Sequence, residues 1–334
     1  MREEKARGGR RARSVMTSQW LRQVEQCLWP QGERRDIWMI ADAARDRQVF
    51  RLLLECHLNY SCLYSGTLPP ALEIAAPYLI QLDYEYPDTR RLIQHAWGNN
   101  WGVFLRSDTS LEKLRRHLRT FLMVRDPAGQ RLLFRYYDPR ILRVYLPTCN
   151  EEELRRVFGP IHRFWSESKT PGHMLDFGRH RGKLVQRTLS LDAQAREPAP
   201  ELASSAEETA SAPPIRGLLS IRAAQMAAFS QNQVQKFEDW MCAHARKFFP
   251  KQCSKFSEAQ LRELIEDGIK RAAAHGITSE RDVCKFIDLM IVFGREFDTK
   301  SGPAWAAEIL ARNNEPAAKI TGLYAAATQR LKAS

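Results

Sequence analysis

The sequence predicts a two-part chain: a strand-and-helix domain (α+β or α/β, with a mixed sheet) followed by an all-α helical domain. Three observations carry that expectation. Short apolar runs alternate with amphipathic stripes through the first half, the pattern of strands packed against helices. Residues 191–216 then turn to Ala, Glu, Ser and Pro, with no aromatic side chain. Such a stretch buries too little apolar surface to offset its ordering entropy, and reads as a flexible linker. Beyond it the apolar period is helical throughout. The expected parts are a basic tail over 1–17, the strand-and-helix domain over 18–190, the linker, and the helical domain over 217–334.

Each element follows from local residues. Ile37–Ala41 is a buried-strand run closed by Asp42. Gln48–Leu58 repeats Val49, Leu52, Leu53 and Cys56 at helical spacing. Cys62–Tyr64 reads as a strand, and Tyr78–Leu82 as another that Pro77 introduces. Asp88 is placed to cap a helix through Trp97, which Gly98-Asn99-Asn100 ends. Trp101–Leu105 is the next strand, and Ser110 caps a helix with Leu111, Leu114, Leu118, Phe121 and Leu122 along one side. Leu132–Tyr137 reads as a strand leading into a helix with Asp138 at its cap and Pro139 in its first turn. Asn150 opens a helix whose first turn is Glu151-Glu152-Glu153, and Gly159 ends it. Strand and helix alternate over 18–168, with Ile161–Trp165 expected as the last strand and Met174–Leu189 as a weak hairpin after it.

From Leu218 onward no strand is expected. Phe229, Val234, Phe237 and Met241 share one long helix ending before Pro250. Ser257 and Gln260 form a capping-box pair before Leu261, Leu264, Ile265 and Ile269. Gly276 stops that helix and Ser279 caps the next, with Val283, Phe286, Ile287 and Met290 inward. Helices around Trp305–Leu310 and Ile320–Leu331 finish the chain.

With 334 residues, 44% hydrophobic and 27% charged, the composition is that of a globular protein large enough for two cores. No stretch approaches the roughly 18 apolar residues of a spanning helix. The start carries Arg2, Lys5, Arg7, Arg10, Arg11 and Arg13, but Ser14–Ser18 follows where a signal peptide has its apolar core. A cytoplasmic location is therefore expected. The cysteines are 7, odd in number and widely scattered, which fits a reducing compartment rather than a disulfide framework. The net charge of +12 permits anionic partners without choosing among them.

Cys56 and His57 are sequence neighbours, about 100° apart on a helix, and cannot form a nucleophile–base pair there. Asp83 and Glu85 share a face at a strand end. His173, His180 and Asp176 lie in a glycine-flanked stretch without the short ligand spacings of a metal site. Gly98-Asn99-Asn100-Trp101-Gly102 lacks the glycine pattern of a nucleotide loop. No cofactor, no metal and no catalytic residue are expected. The most distinctive string is Arg135-Tyr136-Tyr137-Asp138-Pro139-Arg140. Asp138 suits a helix cap paired with an arginine, while the arginines and tyrosines suit a partner-binding surface. The runner-up function is a sequence-neutral nucleic-acid binder built on the Arg-rich helix 111–122 with Trp97 and Trp101. A third reading is a hydrolase using Asp138 or His173.

Residues 37–165 resemble the domain of bacterial type VI secretion effector chaperones, also called adaptors. The matching pieces are Ile40-Ala41-Asp42-Ala43-Ala44, Cys62-Leu63-Tyr64-Ser65-Gly66, Ala76-Pro77-Tyr78-Leu79-Ile80, Gly102–Ser107, Leu114–Arg119 and Leu133–Arg140. Phe293–Asp298 with Trp305–Leu310 is similar to the C-terminal lobe of some members. The Arg-rich start before Thr17 departs from the family pattern. The resemblance implies a cytoplasmic protein of a Gram-negative bacterium that binds a toxic effector and helps load it onto the spike protein VgrG. It implies no catalysis; no membrane partner is expected, and nucleic acid stays as the runner-up partner.

Overall fold

In the computed structural model residues 20–30, 36–191, 217–299, 301–312 and 314–333 are described. The expected tail over 1–17, and the linker over 191–216 apart from Leu191, lie outside the described residues. The chain divides into two units, Met1–Phe229 and Ser230–Ser334. Both halves of the expected fold class are present, an N-terminal α/β domain and a C-terminal set of helices.

In the first unit, helix α1 covers residues 20–28. It is followed by β1 (Ile37–Asp42), α2 (Arg47–Glu55), β2 (Tyr60–Cys62), α3 (Pro70–Glu73), β3 (Pro77–Leu82), α4 (Pro87–Ala96) and β4 (Gly102–Arg106). Then come α5 (Leu111–Arg119), β5 (Met123–Arg125), β6 (Arg131–Leu133), α6 (Pro139–Tyr145), α7 (Glu151–Phe158), β7 (Arg163–Glu167), β8 (His173–His180), β9 (Lys183–Ser190) and β10 (Leu219–Ser220). Seven strands form one sheet in the order β2-β3-β1-β4-β7-β8-β9, and every pairing in it is antiparallel. The mixed pairing is confined to a small sheet, β10-β5-β6, in which β10 runs parallel to β5 and β6 antiparallel.

The central strand shows why the unit is layered. All six residues of β1 are buried, so both faces of the sheet must be covered. Trp38 and Ile40 enter one core with Leu114 and Leu118 of α5, Leu142 of α6 and Leu154 of α7. Ile37, Met39 and Ala41 enter the other with Val24 of α1, Leu53 of α2 and Ile93 of α4. The two-residue period of the strand thus distributes one sequence run between two cores. Trp38 is 2% exposed, and its indole Nε1 donates to Ser107 O at 3.1 Å. Gly102 opens β4 opposite Ala41, and a Cβ there would lie 2.0 Å from Ile40 O. Only glycine fits that approach.

Four expectations are corrected. The run Leu132–Tyr137 is a strand only through Leu133; Asp138 N–H bonds back to Arg135 O at 2.9 Å and turns the chain. Ile161–Trp165 is not the last strand, because β8 and β9 extend the same sheet. Their hairpin read weakly because β9 alternates between half-buried and exposed positions without an apolar face. A strand, β10, does follow Leu218, but two residues are too few for any period to register. Asp88 does not cap α4; Tyr86 holds that position without a side-chain bond, and Asp88 instead accepts from His57 N–H at 2.9 Å.

The second unit holds most of α8 (Ala223–Phe248), then α9 (Pro250–Cys253), α10 (Glu258–Ala274), α11 (Glu280–Phe293), α12 (Ala304–Ala311) and α13 (Pro316–Ala333). Ser257 and Gln260 make the expected capping box and Ser279 caps α11. Helix α11 is the hub, buried at Val283, Cys284 and every position from Phe286 to Ile291. Gly268 of α10 lets it approach closely, since a Cβ there would meet Ile287 Cγ1 at 2.6 Å. The segment after α11 is held to α10 by ion pairs, Arg295 to Asp267 (2.8 Å) and Asp298 to Arg271, and Asp298 also lies 3.2 Å from His275 Nε2. Phe297 is 1% exposed and packs on Phe286 with ring centroids 4.9 Å apart.

Candidate functional site

Three strands of the large sheet bring polar residues to one end. Asp42 ends β1, Gly102 begins β4 and Glu167 ends β7, and the registers Ala41↔Gly102 and Phe104↔Trp165 place them side by side. The Arg135–Arg140 string reaches the same end. Arg135 forms an ion pair with Asp42. Burial raises the Asp42 carboxyl against the opposing hydrogen bond from Arg135. Asp138 caps α6 by accepting from Arg140 N–H at 2.9 Å, and Arg140 also grips it from Nε at 2.9 and 3.1 Å and from Nη2 at 2.5 Å. Burial pushes Asp138 up, but the bonds from Arg140 outweigh it and hold its carboxyl below the usual range. Both Asp138 oxygens are therefore engaged by Arg140.

The string separates into two roles. Tyr136 and Tyr137 are 0% and 1% exposed, and the Tyr136 hydroxyl donates to Leu118 O at 2.9 Å. The partner-binding expectation does not extend to these two rings, because they fill the core beneath the corner. Asp138, buried as the cap, is likewise internal. Arg135 and Arg140 keep 38% and 33% of their side chains exposed, so they alone of the five carry the string to the surface.

The glycine-containing turn at the same end also has an internal occupant. Gly98 N–H and Asn100 N–H each donate at 2.8 Å to the Glu167 carboxylate, one to each oxygen. Burial nevertheless dominates and pushes Glu167 up to about 7. These amides meet an anion from their own chain, which explains why the stretch has glycines without a nucleotide-loop pattern.

The other sequence candidates are dispersed. Cys56 donates its thiol to Leu53 O at 3.4 Å, burial raises it, and His57 turns away to Asp88 (Nδ1···Oδ2 3.3 Å). Asp83 and Glu85 sit in a turn, with Glu85 N–H donating to Asp83 Oδ1 at 3.0 Å. They line an open cleft of about 780 Å³ with Trp29, Tyr84, Tyr86 and Arg106. Asp176 pairs with Arg163 at 2.7 Å. His173, three residues earlier on β8, projects to the opposite face and meets Pro171 O at 3.1 Å. Two of the residues named for a nucleic-acid surface lie apart. Arg115 of α5 turns inward to the carbonyls of Cys62 (2.6 Å) and Tyr64 (2.9 Å), and Trp101 is buried on the opposite side of the sheet from α5.

One cluster in the second unit has no short-spacing signature in the sequence. His244 of α8 meets Cys284 and Asp288 of α11, with donor atoms all within 4.8 Å of one another. The pair Cys284/Asp288 at i, i+4 was visible as one helix face, but its histidine lies 40 residues away. All seven cysteines are free.

Among the described residues no helix is long and apolar enough to cross a membrane. Residues 37–156 match the family described as a domain of unknown function, DUF4123. The matched span runs from β1 through most of α7, and so takes in Asp42 and the whole Arg135–Arg140 corner. No curated protein and no solved structure matches the chain.

Proposed function

We propose that this chain is a cytoplasmic adaptor that binds a type VI secretion effector and helps load it onto the spike protein VgrG, with no catalysis of its own. The observation that carries this reading is the ordered set of motifs from Ile40 to Arg140, which resembles effector chaperones and falls inside the matched domain at 37–156. The geometry supports it. Those motifs are spent on scaffolding: Ile40 and Leu79 in one core, Gly102 against β1, and Tyr136, Tyr137 and Asp138 at a buried corner. Such a frame can present a partner-binding surface at its exposed edges. Arg135 and Arg140, held by Asp42 and Asp138, supply the fixed cationic edge of that surface. Pre-ordered arginines lose little freedom on binding and suit acidic or polar segments of a partner.

Co-expression with an effector encoded beside this gene tests the reading. The effector gains solubility and co-purifies with this chain if the proposal holds. An effector that is equally soluble alone and never co-purifies contradicts it.

A further inference from the structure

We propose that the second unit carries a zinc site formed by His244 Nε2, Cys284 Sγ and one Asp288 carboxylate oxygen. The argument rests on convergence. His244 Nε2 lies 3.1 and 3.4 Å from the two Asp288 oxygens and 3.8 Å from Cys284 Sγ, and Sγ lies 3.9 Å from Asp288 Oδ2. Tetrahedral zinc, with bonds of about 2.0 Å to N, about 2.3 Å to S and about 2.1 Å to O, requires N···S and S···O separations of about 3.6 Å and N···O of about 3.4 Å. The three atoms are thus within a few tenths of an ångström of a coordination triangle before any ion is present.

The alternative chemistry for these residues is a cysteine nucleophile with a histidine base and an orienting aspartate. The geometry opposes it. A relay places the thiol at one imidazole nitrogen and the carboxylate at the other. Here both face the same nitrogen, Nε2. A cation bound there would take the sulfur as thiolate, because a coordinated thiol gives up its proton.

The surroundings suit a held ion. Tyr324 of α13 donates its hydroxyl to Asp288 Oδ2 at 3.0 Å, the outer hydrogen bond that orients a ligating carboxylate. Trp240 stacks on the imidazole at 5.1 Å and Phe248 tilts against it at 4.7 Å, which restricts the ring. Lys285, on the same helix, is paired with Asp282 at 3.2 Å. His244 keeps 18% of its side chain exposed, so an ion has a way in. Three protein ligands leave a fourth position for water or a partner's donor atom. On binding, the Cys284 proton leaves to solvent and the imidazole hydrogen resides on Nδ1; no electron is transferred.

Untagged full-length protein, stripped with a chelator and then loaded with zinc, should retain one ion per chain through gel filtration. It should release protons on loading and change its tryptophan fluorescence through Trp240. Cobalt in place of zinc should give a tetrahedral spectrum with a thiolate charge-transfer band. Cys284→Ser and His244→Gln should each weaken zinc binding by at least about tenfold, since even outer-shell changes cost that much. Cys242→Ser, at a buried cysteine outside the cluster, should leave it unchanged. The cobalt spectrum of the unaltered chain decides the matter even if a variant misfolds. A spectrum without the thiolate band, no retained zinc, or binding indifferent to Cys284→Ser overturns the proposal.

Discussion

Replacing Glu167 by Gln should remove a specific part of the chain's pH-dependent stability. Glu167 ends β7, 8% exposed, with Gly98 and Asn100 amides on its two oxygens. Burial raises its pKa from 4.5 to about 7. Between those values the folded chain binds more protons than the unfolded one, so stability falls as pH rises through the window and levels off above it. Between pH 5 and pH 8 this single group should cost about 2–3 kcal/mol. Gln cannot titrate, and its amide leaves one backbone N–H unpaired, a penalty that does not vary with pH. Asp42 and Asp176, also raised by burial, titrate alike in both proteins and cancel in the comparison. Urea denaturation of wild type and Glu167→Gln at the two pH values gives the double difference. Wild type should lose about 2–3 kcal/mol more than the variant on going to pH 8. Equal losses would refute the claim that a buried carboxylate fills the glycine turn.

Other substitutions test the frame. Gly102→Ala drives a methyl into Ile40 O and should destabilise the first unit by more than about 3 kcal/mol, seen as a lower midpoint in thermal denaturation. Tyr136→Phe strands the Leu118 carbonyl and should cost about 1–2 kcal/mol in urea denaturation while leaving co-purification of an effector intact. Arg135→Ala leaves Asp42 buried without its cation and should cost about 3 kcal/mol; Asp42→Asn on the same background should recover part of it.

What the sequence made legible depended on length and periodicity. Ile37–Ala41 is an unbroken apolar run and Tyr78–Leu82 is one interrupted only by Gln81, and both are interior strands of the large sheet. Ser110, Asp138, Asn150, Ser257 and Ser279 act through bonds two or three residues away and are legible locally, although Asp46, which caps α2 in the same way, was not named. Strand β9 was faint because one hairpin strand at a sheet edge needs no apolar face, and β10 because it has two residues. At the corner, composition pointed to the right string but not to which side chains face inward. Tyr136 and Tyr137 read as surface aromatics until the turn at Asp138 put both rings into the core. Glu167 and its amide cradle join residues 67 and 69 apart, and His244 meets Cys284 across 40. No local pattern records such pairs; only the tertiary fold brings them together.

The central claim, that this chain hands an effector to the secretion machinery, is tested most directly in the cell. In a strain lacking this gene, the partner effector should vanish from the culture medium while the machinery's other exported products persist, and restoring the gene should restore its export. Undiminished export of every effector from the deletion strain would contradict the account.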